Sequence, residues 1–176
     1  GYERWAKVFN IKQMAQTVNY LTEHGLLEYS ALAAKTEAAT ARYNELSAQI
    51  KAAEKRLAEI AVLKTQIINY AKTRDTYVAY RKAGYSKKFL EEHETDILLH
   101  KAAKKAFDEL GVKKLPTVKS LQAEYAELLA EKKDAYTDYR KARDEMKELL
   151  VVKSNIDRLL GKDREEERKE TFINRT

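Results

Sequence analysis

Between Gly25 and Gly84 the chain contains neither glycine nor proline, and few folds can use an unbroken stretch of that length. Within it, steps of three and four residues pick out Tyr29, Leu32, Thr36, Ala39, Tyr43, Leu46, Ile50, Ala53, Leu57, Ile60, Lys64, Ile67, Ala71, Arg74 and Val78. Most are apolar, and a mean step of 3.5 residues is the period at which two helices wind around each other in a left-handed sense. The spacing predicts one helix over about 29–83, roughly 80 Å long at 1.5 Å per residue.

The same alternation recurs later, through Val118, Leu121, Tyr125, Leu128, Lys132, Ala135, Tyr139, Ala142, Met146, Leu149, Lys153, Ile156 and Leu160. It predicts a second long helix over about 117–160, with two lysines interrupting the seam. Polar residues at such positions can fix register, and lysines can also lift their charge clear of an apolar seam.

Shorter helices are expected over about 10–24 and 87–110. Asn10 suits an N-cap, and Ile11, Met14, Ala15, Val18 and Leu21 form one apolar stripe expected to face a neighbouring helix. Trp5 and Phe9 suggest a further turn or two upstream that packs the same way. Ser86 can cap the next helix, whose apolar residues include Phe89, Leu90, Ile97, Leu98, Ala106, Phe107 and Leu110; a break near Glu94–Asp96 is compatible with Thr95 or Asp96 starting a new turn. Gly25, Gly84, Gly111 and Gly161 each follow a helical pattern, where a left-handed residue closes a helix. Pro116, the only proline, disfavours helix at Leu115 and suits the first turn of the helix after it.

The expected fold is therefore all-α: a long antiparallel helical hairpin of coiled-coil type, with one short helix at its tip and one at its base. Residues 1–161 form the hairpin domain, and 162–176 form a charged tail without a seam. The rival arrangement is a coiled coil between two copies of the chain.

Composition agrees with long helices. Charged residues make up 35 % of the 176, against roughly 25 % in ordinary domains. No cysteine is present, which removes disulfides, thiolate metal sites and cysteine nucleophiles. No run nears the ~18 apolar residues of a membrane span, and no signal peptide is visible. Gly1 reads as a cloning remnant, and the rest as a piece of a longer protein.

The chemistry-bearing patterns are few. No serine–histidine–acid grouping or glycine-rich phosphate loop occurs, so an enzyme confined to these residues is not expected, and no cofactor is called for. His93, Asp96 and His100 share one helical face and in principle could hold a metal. A solvated face is the stronger reading, because zinc needs three or four ligands.

Charge is more telling. The net charge is +6, and between Tyr70 and Ser120 twelve basic residues face seven acidic ones. Within that segment Arg74, Tyr77, Tyr80, Arg81, Lys82, Tyr85, Lys87 and Lys88 interleave cations with rings, and Lys101, Lys104 and Lys105 follow on the next helix. Cations neutralise phosphates and rings stack on bases, so these residues are the candidate DNA contacts. The competing reading packs Tyr70, Tyr77 and Tyr80 against the next helix, with the lysines solubilising the surface.

Three stretches carry a family resemblance: Tyr-Glu-Arg-Trp-Ala-Lys-Val-Phe-Asn at 2–10, the segment 74–92 with Tyr-Arg-Lys-Ala-Gly-Tyr-Ser-Lys-Lys-Phe-Leu, and 98–119. They resemble the C-terminal region of relaxases, the mobilisation nucleases of conjugative and mobilisable elements in gut Firmicutes. The resemblance spans nearly the whole chain. It implies a parent that nicks one DNA strand through a tyrosine and a histidine-held metal, and a cytoplasmic setting. The histidine-hydrophobe-histidine motif of that nuclease is missing, and none of the eleven tyrosines stands beside such a cluster, so no catalytic residue carries over. What it implies for this region is an accessory, non-catalytic role in DNA transfer. The implied partners are DNA, a coupling protein or other relaxosome components, and a second copy of the chain; membrane insertion is not among them.

Overall fold

The computed structural model describes residues 2–175, and their side chains apart from those of 2, 3, 5–9, 163, 164 and 166. The described residues form six helices and no strand: α1 (Tyr2–Glu23), α2 (Tyr29–Lys82), α3 (Lys87–Glu92), α4 (Glu94–Glu109), α5 (Val118–Leu159) and α6 (Lys162–Ile173). The chain divides into two compact units, one of Gly1–Ala48 with Tyr136–Thr176 and the other of Gln49–Ala135. The two long helices, α2 of 54 residues and α5 of 42, each give a stretch to both units. In each unit these stretches pack antiparallel, the pairing expected from the two seams.

In the first unit, rising numbers on α2 meet falling numbers on α5. The Tyr29 hydroxyl donates to Asp157 at 2.7 Å, and the Tyr43 and Tyr139 hydroxyls lie 3.2 Å apart. Leu32 and Ala39 from α2, Leu149 and Val152 from α5, Leu21 from α1 and Leu26 from the turn after it form the core. The seam lysine Lys153 reaches Asp157 at 2.8 Å, so it is paired at the edge of the seam.

α1 corrects two expectations. It begins at Tyr2, so Asn10 is an interior residue and not a cap. Its packed face also differs from the apolar stripe: Ile11 and Val18 are 68 % and 51 % exposed, Ala15 is exposed, and Thr17 is buried beside Leu21. The partner sets this rotation, because the Asn155 amide of α5 donates to Thr17 Oγ1 at 3.2 Å. Trp5 and Phe9 lie outside the described side chains. The segment after Gly161, expected as a tail, is helical as α6.

In the second unit, Arg56 grips Glu124 with two hydrogen bonds, Nε to Oε1 at 2.7 Å and Nη2 to Oε2 at 3.1 Å. The seam lysine Lys132 pairs with Glu54 at 3.2 Å. Ile60 and Leu63 of α2, Ala103 and Phe107 of α4, and Leu121 of α5 make a three-helix core. The helix expected over 87–110 is two helices meeting at His93, whose N–H still bonds to the Phe89 carbonyl at 3.0 Å. The Ser86 hydroxyl caps α3 as expected, accepting from the Phe89 N–H at 3.4 Å. Thr117 caps α5, accepting from the Ser120 N–H at 3.0 Å, which leaves Pro116 outside the helix.

The α2 seam holds from Tyr29 to Ile67 and then changes face. Ala71 and Arg74, seam positions by spacing, are exposed, while Thr73 and Tyr80 are buried. From Ile60 and Leu63 onward the helix packs against α4 as well as α5, and beyond Ile67 its buried side has turned to Thr73 and Tyr80.

Candidate nucleic-acid interface

The C-terminal third of α2 meets α4 through rings. Tyr70, Thr73, Tyr77 and Tyr80 recur every three or four residues, which places them along one helical face. His100 of α4 inserts between two of them: its ring stacks on Tyr70 at 4.6 Å and on Tyr77 at 4.3 Å between centroids. Nδ1 of His100 lies 3.0 Å from Thr73 Oγ1, and the Thr73 hydroxyl is also 2.7 Å from the Asn69 carbonyl. Phe107 meets Tyr70 edge-on at 5.7 Å. Burial pushes the His100 pKa down from its ordinary value, with Lys104 adding to the shift.

This arrangement decides what the tyrosines can do. Tyr80 is 6 % exposed, with Phe89 stacked at 6.0 Å, so it offers no face to a base. Tyr77 lies on His100 and carries Lys104 Nζ 5.4 Å from its centroid; Lys101 Nζ sits 5.8 Å from the Tyr80 centroid. Cations over ring faces are attracted by the ring quadrupole, so these lysines are oriented by the rings beneath them. Of the three tyrosines named as DNA contacts, Tyr77 and Tyr80 serve the fold, and Tyr85 alone is open, at 56 % exposure.

The cations have a different placement. Arg74, Arg81, Lys82, Lys87, Lys88, Lys101, Lys104 and Lys105 are all exposed. Lys105 holds Glu109 at 3.9 Å. Among the described residues, none of the other seven has a carboxylate within 4.0 Å. Elsewhere on the long helices Lys35, Arg42, Arg56, Lys132 and Lys153 have carboxylate partners, whereas exposed Lys51, Lys55, Lys141 and Lys147 have none within 4.0 Å among the described residues, so it is the clustering of the seven that sets this surface apart.

The face read as a metal candidate is dispersed. His100 points into the ring stack, whereas His93 is exposed beside Phe89, 4.3 Å between centroids. Among the described residues no group of three or more histidine, aspartate or glutamate side chains is placed to hold a metal, and no helix is long and apolar enough to cross a membrane. Sequence reasoning missed Thr73 as part of this architecture and His100 as its centre. The available signal was the Tyr70–Thr73–Tyr77–Tyr80 spacing, which marks one packed face.

Fold and surface together define a class: an all-helical chain of antiparallel long helices with one strongly basic, ring-supported surface. No protein-family model matches this chain, and neither does any curated protein or solved structure.

Proposed function

We propose that this chain is a non-catalytic helical arm that holds DNA through its phosphates, serving a relaxase-type parent in the mobilisation of plasmids or transposons. The relaxase part of this reading rests on the resemblance at 2–10, 74–92 and 98–119. The DNA part rests on one observation: seven exposed cations of the second unit, Arg74, Arg81, Lys82, Lys87, Lys88, Lys101 and Lys104, lack a carboxylate partner among the described residues. An unpaired cation gives up no ion pair when it meets a phosphate, and the released counterions drive binding.

Fluorescence anisotropy with a labelled DNA strand tests this. If Arg81, Lys82, Lys87 and Lys88 each neutralise a phosphate, they contribute a salt slope of about −2.8, and affinity falls about 50-fold between 50 and 200 mM salt. Replacing all four with glutamine should remove most of that slope. Unchanged affinity and slope in the fourfold variant would sink the reading. In that event the exposed Ile11 and Val18 on α1 favour a scaffold that docks a coupling protein, a relaxosome component or a second copy. A dimer seen by light scattering would support that alternative.

A further inference from the structure

Three helices here end in the same hydrogen-bonded turn, and one of the three is built differently. In the Schellman arrangement the N–H two residues beyond the cap bonds back to the carbonyl five residues earlier, and its side chain packs on the helix it has just left. Leu26 does this on Leu21 (2.8 Å), Val112 on Phe107 (2.9 Å) and Tyr85 on Tyr80 (3.0 Å). The preceding residue is glycine each time, with φ of 65°, 67° and 67° for Gly25, Gly84 and Gly111. Leu26 is buried at 8 % and Val112 is half-buried. Tyr85 is 56 % exposed.

Tyr85 is also the only non-glycine residue with positive φ, at 57°, among the described residues. A bulky side chain is rarely found in that conformation, and such outliers concentrate at functional sites. Its ring leans edge-on against Tyr80 at 5.3 Å and 85° between planes, which holds it in place without covering it. Arg81 and Lys82 precede it and Lys87 and Lys88 follow, all exposed. Packing alone would be served by a leucine or valine, as in the other two turns. A rigid, uncovered ring among unpaired cations has the chemistry of a base-stacking platform.

We infer that Tyr85 is the base-contacting residue of this surface, stacking on an unpaired DNA base while Arg81, Lys82, Lys87 and Lys88 hold the flanking phosphates. This rests on the phosphate-holding reading above. The Tyr85 ring supplies the contact, and its hydroxyl is not required.

Three labelled probes separate the two ideas: a single DNA strand, the same strand with abasic sites throughout its middle, and a duplex closed at both ends by non-nucleotide linkers. The native chain should bind the intact strand about tenfold more tightly than the abasic one. Tyr85→Leu keeps an apolar contact to Tyr80 and should erase that preference, with the salt slope unchanged and binding to the closed duplex unaffected. Tyr85→Phe should behave as the native chain. Equal binding of the intact and abasic strands by the native chain would overturn the stacking role and leave phosphate holding intact. So would a Tyr85→Leu loss shared equally by all three probes, or a Tyr85→Phe variant that behaves like Tyr85→Leu. No binding to any probe at low salt would overturn both ideas. Thermal melting of each variant, followed by circular dichroism, confirms that the compared proteins are folded.

Discussion

Replacing His100 with alanine removes a ring held between two others, and the structure allows the cost to be worked out in parts. The contacts to Tyr70 and Tyr77, at 4.6 and 4.3 Å, contribute about 0.5–1.5 kcal/mol each beyond simple burial. The space left behind adds about 1 kcal/mol, because rings anchored on a long helix collapse only partly into it. Thr73 is spared as an orphan, since its hydroxyl keeps the Asn69 carbonyl at 2.7 Å. The sum is about 3 kcal/mol, read as a shift in the urea midpoint by circular dichroism.

The pH dependence of that cost is a stricter test. Burial first, and Lys104 second, lower the folded-state pKa of His100 below its ordinary 6.5. A histidine kept neutral by the fold contributes its full stability above pH 6.5. As pH falls through that value the unfolded chain takes up the proton first, and stability declines until the lowered folded pKa is reached. The charged group beside it is Lys104. The gap between native protein and His100→Ala should therefore be wider at pH 7.5 than at pH 5. A gap that is constant, or wider at pH 5, would refute the idea that the stack holds a neutral imidazole. A loss below about 1 kcal/mol would refute its role in packing.

Two further outcomes test the units separately. Leu149, 0 % exposed in the core of the first unit, should cost about 3 kcal/mol as alanine, measured by urea unfolding; a loss under 1 kcal/mol would show that its surroundings are loosely packed. A double-mutant cycle on Arg56→Gln and Glu124→Gln, a pair with both side chains 39 % exposed, should give a coupling of about 1 kcal/mol or less after solvent screening, shrinking in 0.5 M salt; no salt dependence would mean that the pair is held by packing.

Much of this fold was legible because its seams are written in leucine and isoleucine. Leu32, Leu46, Ile50, Leu57 and Ile60 are buried where the spacing puts them, as are Leu121 and Leu149 on α5. Glycine marked the helix ends for a physical reason: at Gly84 the chain turns through φ of 67°, which a side chain would oppose. What could not be read was any burial carried by polar letters. Thr17 faces α5 in place of the apolar Ile11 and Val18, because Asn155 is there to bond it. Thr73 and His100 are buried as a mutually bonded pair, and neither residue alone signals a core. The cations of the candidate site were found from sequence; which of its rings were open was not.

That last division follows from the change of face in α2. As long as α5 is the partner, the seam of threes and fours decides what is buried, and extended past Ile67 it would bury Ala71 and Arg74. Where α4 joins as a partner, already at Leu63, the buried side begins to turn, and Tyr70, Thr73, Tyr77 and Tyr80 come to face it. Arg74 follows Thr73 by one residue, about 100° around the helix, and is exposed. The segment therefore reads in sequence as one surface of alternating rings and cations, and in space it becomes two layers. The inner layer of rings supports the lysines of α4 from beneath, as Lys101 and Lys104 over Tyr80 and Tyr77 illustrate, and the outer layer of α2 carries Lys72, Arg74, Arg81 and Lys82 beside Ala71, Asp75 and Ala79. A ring can reach the outer layer only where the helix has ended and its periodicity no longer assigns a direction. Tyr85 occupies that position, immediately after Gly84.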